Sequence, residues 1–323
     1  MFPAKDQLTV CFAHGAYRMA ERFAARATGI RHLQVSNADQ LTQALPDAHV
    51  LVVSMMWRNQ QIDIARNLKF IQSISAGVDQ YDQNLLRARG IRLASAAGVN
   101  AQAVAEHAMA LILALRRKLH ISRDNQAARF WRPMASDIAS REDELGGKTL
   151  LIVGLGRIGA RLALLGKAFG MKVIGIRQDP AKGTNGADSI HAMADLVKLV
   201  PQADIVALTC ALTPETTGLM SAAAFKAMKP SSIFVNVARG KVADEAALID
   251  TMKNNRIWAA AIDVTAEEPL PAASPLWTLP NVFVTPHTAG ETRAYEDNVI
   301  DILVENLDRL WRDEKAALRN QVL

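Results

Sequence analysis

Short runs of consecutive apolar residues alternate along this chain with longer stretches in which apolar positions recur every three or four residues. The runs predict strands at 8–13, 32–36, 49–54, 70–75 and 91–95, with amphipathic pieces at 16–27 and 85–89. A second series follows Gly147, at 149–154, 171–176, 204–210, 232–237, 259–264 and 282–285. The runs read as buried on two faces, as strands of a parallel sheet covered by helices on both sides require. Strands interleaved with helical stretches point to α/β layers. Residues 101–117 form a long helical pattern between the two series. A second, 291–310, has Val299, Ile302, Leu303, Leu307 and Leu310 at three- and four-residue steps. The expected organisation is two lobes, 1–99 with 291–323 and 100–290, linked by these two helices. There are no tandem repeats or low-complexity tracts.

Composition narrows the class. A chain of 323 residues has room for about two domains with their own cores. Half of it is hydrophobic and 21% is charged, a globular balance. The longest apolar run, 108–115, is far short of the ~18 residues that suggest a membrane span. The first nine residues include Lys5 and Asp6 and have no apolar targeting core. Cys11 and Cys210 lie far apart in predicted strands, so we expect buried thiols in a reducing, cytoplasmic compartment, with no disulfide and no metal site. The net charge of +5 comes from scattered basic residues. Without a basic block, zinc-finger spacing or an RNA-binding aromatic motif, no nucleic-acid partner is expected. A mild positive field also draws in anionic substrates and cofactors.

The first chemical motif is the run from Thr149 through Gly154-Leu155-Gly156-Arg157-Ile158-Gly159, a buried strand entering G-x-G-x-x-G and then a helix. In that context the motif reads as a dinucleotide-binding turn. Gly154 allows the tight turn, Gly156 lets backbone approach a pyrophosphate, and Gly159 lets the helix pack on the sheet. The helix start, through Arg157 and Ile158, offers N–H groups and a partial positive charge to phosphates. The Arg157 side chain either adds a phosphate contact or is solvated. An NAD-specific domain places a carboxylate about 20 residues further on, at the end of the second strand. Here that place holds Arg177, followed by Gln178 and Asp179. A guanidinium suits a 2′-phosphate, so NADP is the preferred cofactor, with NAD the alternative if Asp179 reaches the ribose.

Three further segments end in titratable residues just past predicted strands, the edge where α/β sheets present ligands. They are Phe234 to Gly240 with Arg239, Ala261 to Pro271 with Asp263, Glu267 and Glu268, and Val284 to Gly290 with His287. With the glycine turn, their order and spacing resemble the D-isomer-specific 2-hydroxyacid dehydrogenase family, and the arginine at the cofactor position in a chain this short resembles its glyoxylate and hydroxypyruvate reductase branch. Ser75-Ala76-Gly77-Val78-Asp79 and Asn100 to His107 resemble two further family segments, so the resemblance covers nearly the whole chain.

That resemblance implies a Rossmann dinucleotide-binding domain joined to a flavodoxin-like substrate domain. It also implies hydride transfer from NADPH or NADH to a small 2-keto acid such as glyoxylate or hydroxypyruvate, giving a D-2-hydroxy acid. His287, paired with Glu268 rather than Glu267, would be the general acid, because an adjacent carboxylate favours the protonated imidazole. Arg239 would bind the substrate carboxylate and polarise the carbonyl. By resemblance, the N–H groups of Ala76, Gly77 and Val78 hold the carboxylate from the other lobe, and Asp263 contacts the nicotinamide carboxamide. The resemblance further implies a homodimer, for which 101–117 is a candidate interface, although a core helix has the same pattern. A hinge is expected near Asn100 and Gly290. Trp57 and Arg58 either wall the substrate pocket or are a core tryptophan and a solvated arginine. The alternative to an enzyme is a dinucleotide-binding corepressor or scaffold on the same fold.

Overall fold

Five parallel strands build the first sheet: β1 (Thr9–Ala13), β2 (Arg31–Val35), β3 (Val50–Val53), β4 (Phe70–Ser73) and β5 (Arg92–Ala94), in the order β2-β1-β3-β4-β5. The inner strands β1, β3 and β4 are buried at every position, whereas the edge strand β2 carries Arg31, His32 and Gln34 and is largely accessible. One face packs Phe12, Phe23 and Phe70 against Val299, Ile300, Leu303 and Leu307 of the helix Tyr295–Arg312. Each such fully buried side chain contributes about 1.5–3 kcal/mol, enough for that helix to belong to this sheet. Its ends suit the helix dipole, with Glu296 and Asp297 in the first turn and Arg309 and Arg312 in the last. The opposite face holds Leu41, Leu51, Trp57, Ile71 and Leu93. The other edge, β5, is covered by the end of the chain, where the Val322 N–H donates to Leu93 O at 2.8 Å.

Seven parallel strands build the second sheet: β6 (Thr149–Val153), β7 (Lys172–Ile176), β8 (Ser189–His191), β9 (Ile205–Leu208), β10 (Ile233–Asn236), β11 (Ala259–Ile262) and β12 (Val282–Val284). Their order is β12-β11-β10-β9-β6-β7-β8. The chain direction across the sheet reverses between β6 and β9, the switch point at which doubly wound sheets open a ligand crevice beyond their carboxyl ends. The helix Ala101–Arg116 buries Val104, Ala105, Ala108, Met109, Leu111, Ile112 and Leu115 on one face, beside Leu162 and Ala163 of the helix Arg157–Ala168. Phe225, Phe234, Leu208 and Met252 fill the other face.

The computed structural model describes residues 2–323, which divide into 2–100 with Thr292–Leu323, and Ala101–Glu291. The parallel α/β expectation and the two sheets agree. Several elements differ from the pattern-based reading. Strand β8 was not expected, because its three residues include a single apolar side chain, Ile190. The helices Ala38–Ala44, Leu119–Ala127, Ala222–Ala227 and Glu245–Lys253 were also unforeseen. The last helix starts at Tyr295 rather than 291, because two turns, closed by Glu291 N–H to Thr288 O and Tyr295 N–H to Thr292 O, lead into it.

Candidate active site

The dinucleotide turn is shaped by close approach. Gly154, at φ +102°, would place a Cβ within 2.4 Å of the Cys210 backbone, so no side chain fits there. A Cβ on Gly159 would lie 2.5 Å from Gly154 O, so the helix can approach the strand only as glycine. Gly156 is different: a Cβ there meets nothing within 4 Å. The missing side chain leaves open space in front of the helix, the cradle a pyrophosphate needs. The helical ladder begins with Ala160 N–H to Gly156 O at 2.8 Å, so the N–H groups of Arg157, Ile158 and Gly159 are its leading donors. The Thr209 hydroxyl donates to Gly154 O at 2.8 Å and ties the turn to β9. These residues fit a dinucleotide diphosphate.

At the end of β7, Arg177 is half-buried, and its guanidinium donates to Lys182 O at 3.2 Å and Gly183 O at 3.0 Å. Gln178 beside it is exposed. The Asp179 carboxylate accepts from Ala181 N–H at 3.1 Å and caps the turn Pro180–Lys182. Among the described residues its other oxygen, Oδ2, takes no donor, and the residue is exposed.

The carboxyl ends of β10, β11 and β12 bring Arg239, Glu268 and His287 together. Arg239 leaves β10 through a turn pinned by Asn236, whose amide donates to Arg239 O at 3.1 Å and accepts from Ala238 N–H at 3.0 Å. Gly240 then passes so close to the loop after β11 that a Cβ would lie 2.0 Å from Thr265 C and O. That loop carries Glu268, whose Oε1 accepts from Thr265 N–H at 3.1 Å while Oε2 meets His287 Nδ1 at 2.7 Å. Glu267 lends only its backbone carbonyl, to the Thr265 hydroxyl. Burial pushes the Glu268 carboxyl up. The hydrogen bond and charge of His287, the Thr265 N–H and the Arg239 guanidinium more than offset that, and hold it below the usual range.

A carboxylate only accepts hydrogen bonds, so Nδ1 of His287 carries a proton and Nε2 is left to face a reactant. His287 sits at φ +55° in the left-handed region, which costs a non-glycine residue about 1–2 kcal/mol. Its loop is held by Asp263, 2% exposed, which accepts from Thr285 Oγ1 at 2.6 Å, Thr288 N–H at 3.0 Å and Ala289 N–H at 3.0 Å. Oδ2 takes one of these three donors, the Ala289 N–H.

In the first unit, Ser75 to Asp79 follows β4. The Ser75 hydroxyl donates to Gly77 O at 2.8 Å and is bonded to Ser54 Oγ at 2.9 Å. Among the described residues, the N–H groups of Ala76, Gly77 and Val78 find no acceptor. Three successive N–H groups of this kind suit an anion. Trp57 is a core residue, 1% exposed and packed beside Tyr81, and the Arg58 guanidinium closes on the Met55 and Trp57 carbonyls of its own loop.

Residues 109–289 match the sequence model of the D-isomer specific 2-hydroxyacid dehydrogenase NAD binding domain. A glyoxylate/hydroxypyruvate reductase B of Citrobacter koseri is 34% identical over 95% of this chain and 94% of its own. The chain belongs to this family. Its fold agrees with a crystal structure of a D-isomer specific 2-hydroxyacid dehydrogenase family protein from Aeromonas salmonicida, with a TM-score of 0.85 and 31% identity over 98% of this chain and 99% of that one. A D-3-phosphoglycerate dehydrogenase of Archaeoglobus fulgidus is 36% identical over 83% of this chain, which spans only 50% of that longer protein.

Within this member of the family, pattern reading missed Asn236, Gly240, His107 and Thr285. Gly240 stood in the sequence directly after Arg239, and its glycine identity was the available signal. No sequence signal pairs His107 with Thr285. Among the described residues, no group of three or more His, Cys, Asp or Glu is placed to hold a metal, and no helix is long and apolar enough to cross a membrane.

Proposed function

We propose that the protein reduces a small 2-keto acid, with glyoxylate and hydroxypyruvate first among the candidates, to a D-2-hydroxy acid using NADPH. The observation that carries this reading is the 2.7 Å His287–Glu268 pair beside Arg239 at the carboxyl edge of a dinucleotide-binding sheet. The bound nicotinamide supplies the hydride. His287 gives the proton to the carbonyl oxygen from Nε2, while Glu268 holds Nδ1 and supports the imidazolium; such positioned acid catalysis contributes about 10²–10⁴-fold. Arg239 binds the substrate carboxylate and draws charge from the carbonyl. The free N–H groups of Ala76, Gly77 and Val78 are the second proposed carboxylate contact. Asp263 is the proposed partner of the nicotinamide carboxamide, by the family resemblance.

NADPH is favoured over NADH because the place of the ribose carboxylate holds Arg177, whose guanidinium suits a 2′-phosphate. The Citrobacter koseri relative, which matches almost end to end, supports glyoxylate and hydroxypyruvate as the first substrates to test. The cytoplasm is the proposed compartment.

A homodimer is also part of the proposal, but on a different surface from the one expected. The helix Ala101–Arg116 spends its apolar side on its own sheet, whereas Trp131 and Met134, in the segment after it, are 94% and 98% exposed. Sedimentation of wild type against Trp131→Glu tests this; an unchanged mass removes that surface.

The deciding experiment for the activity is a panel of 2-keto acids with NADPH and with NADH. Turnover with glyoxylate or hydroxypyruvate and faster use of NADPH is expected. Tight NADPH binding without turnover of any 2-keto acid would replace this reading with a scaffold role.

A further inference from the structure

The loop that presents His287 is tied to a residue far away in the chain. His107, midway along the helix Ala101–Arg116, places Nε2 at 3.0 Å from Thr285 Oγ1, and Thr285 Oγ1 lies 2.6 Å from Asp263 Oδ1. The direction of each bond follows from the chemistry. The Asp263 carboxylate has no proton to give, so the Thr285 hydroxyl donates its single hydrogen to it. That hydroxyl can then only accept from His107, so Nε2 of His107 carries a proton.

The result is a one-way chain, from His107 Nε2–H to the Thr285 hydroxyl to Asp263. The same buried carboxylate accepts from the N–H groups of Thr288 and Ala289. Its donors therefore flank His287 on both sides, two residues before it and one and two after. His107 Nε2 also lies 3.6 Å from Asp263 Oδ1, close enough to move onto the carboxylate directly if the hydroxyl is lost.

We propose that His107, Thr285 and Asp263 form a positioning relay that ties the His287 loop to the helix Ala101–Arg116 and sets the aim of its Nε2. His107 and Thr285 are positioning residues: they act on the reaction through the loop. The kinetic part of this inference rests on the reductase reading; the structural part does not.

The test uses the full-length protein labelled with ¹⁵N-histidine. In the wild type, long-range ¹H–¹⁵N spectra should show His107 as the Nε2–H tautomer, assigned with His107→Asn. Thr285→Val keeps the size of the side chain and removes the hydroxyl, and should alter that signature, whereas Thr285→Ser should keep it. In turnover, Thr285→Val should lower kcat roughly tenfold to a hundredfold, the scale of a misplacement near 1 Å. KM for NADPH should change less than kcat does, since the glycine turn is untouched and only one donor is lost from Asp263. Thr285→Ser should recover most of kcat.

A role confined to stability would lower the unfolding temperature of Thr285→Val with no kcat-specific loss. An Nδ1–H tautomer at His107, or equal kcat in wild type and Thr285→Val, overturns the relay. If Thr285→Val does not fold, His107→Asn carries the kinetic arm with the same expected loss. If the wild type turns over no 2-keto acid, the reductase reading fails while the spectra still decide whether the chain of hydrogen bonds exists.

Discussion

Gly240→Ala isolates how the site is assembled. The added methyl would lie 2.0 Å from Thr265 C and O and 2.5 Å from Ala266 N, all backbone atoms that cannot rotate away. Ordinary contacts start at 3.4 Å, so the turn after β10 and the loop after β11 must separate by about 1.4 Å. One side of that gap carries Arg239, and the other carries the Thr265 N–H that holds Glu268. Both of these charges, proposed to act in the reaction, are therefore displaced without either being mutated. Overpacking of this kind costs about 1–3 kcal/mol. In a unit of this size each kcal/mol lowers Tm by about 2–4 °C, so a drop of several degrees is expected in thermal unfolding. The larger effect should be on kcat, roughly a hundredfold for a misplacement near 1 Å. Steady-state kinetics with the best 2-keto acid, alongside NADPH binding by fluorescence, separates the two: kcat falls while cofactor affinity holds. Gly240→Ala with wild-type kcat and Tm would refute the claim that this close approach places Arg239 and Glu268.

Gly156→Ala should behave in the opposite way, leaving Tm unchanged because its Cβ meets nothing, but weakening NADPH binding severalfold in a titration because the methyl occupies the phosphate cradle. His287→Ala should lower kcat by about 10²-fold or more with cofactor affinity intact, measured by turnover and by fluorescence. Arg177→Asp should shift the ratio of kcat/KM values from NADPH toward NADH; an unchanged ratio would remove Arg177 from cofactor choice. Glu268 is held below its ordinary value of 4.5, so its pairing stabilises the fold above that value and the contribution is lost as pH falls through the lowered one. Unfolding of wild type and Glu268→Gln across pH 3–7 should therefore show a stability difference that is full near neutrality and closes below pH 4.5; a constant difference would contradict the pairing.

The sequence alone determined the layer type and the main chemical stations. Strands such as Val50–Val53 and Ile205–Leu208 are apolar at every position, which only a sheet covered on both faces satisfies. The glycine turn was legible because its three glycines fall where a buried strand passes into a helix; Gly154 and Gly159 answer close backbone approaches, and Gly156 leaves the space before the helix open. Arg239, Glu268 and His287 stood out because each follows a strand end, where parallel sheets present ligands.

Tertiary structure decided what depends on distant neighbours. Whether the apolar stripe of Ala101–Arg116 faced a sheet or another subunit could not be read from its period, since both give the same pattern. The short edge strand β8 has one apolar residue and is a strand because β7 pairs with it. That the Asp179 carboxylate caps the turn Pro180–Lys182 through Ala181 N–H was likewise visible only in the folded loop. The His107–Thr285 contact joins residues 178 positions apart through one hydroxyl, and local sequence holds no trace of a hydrogen bond that folding alone brings within reach.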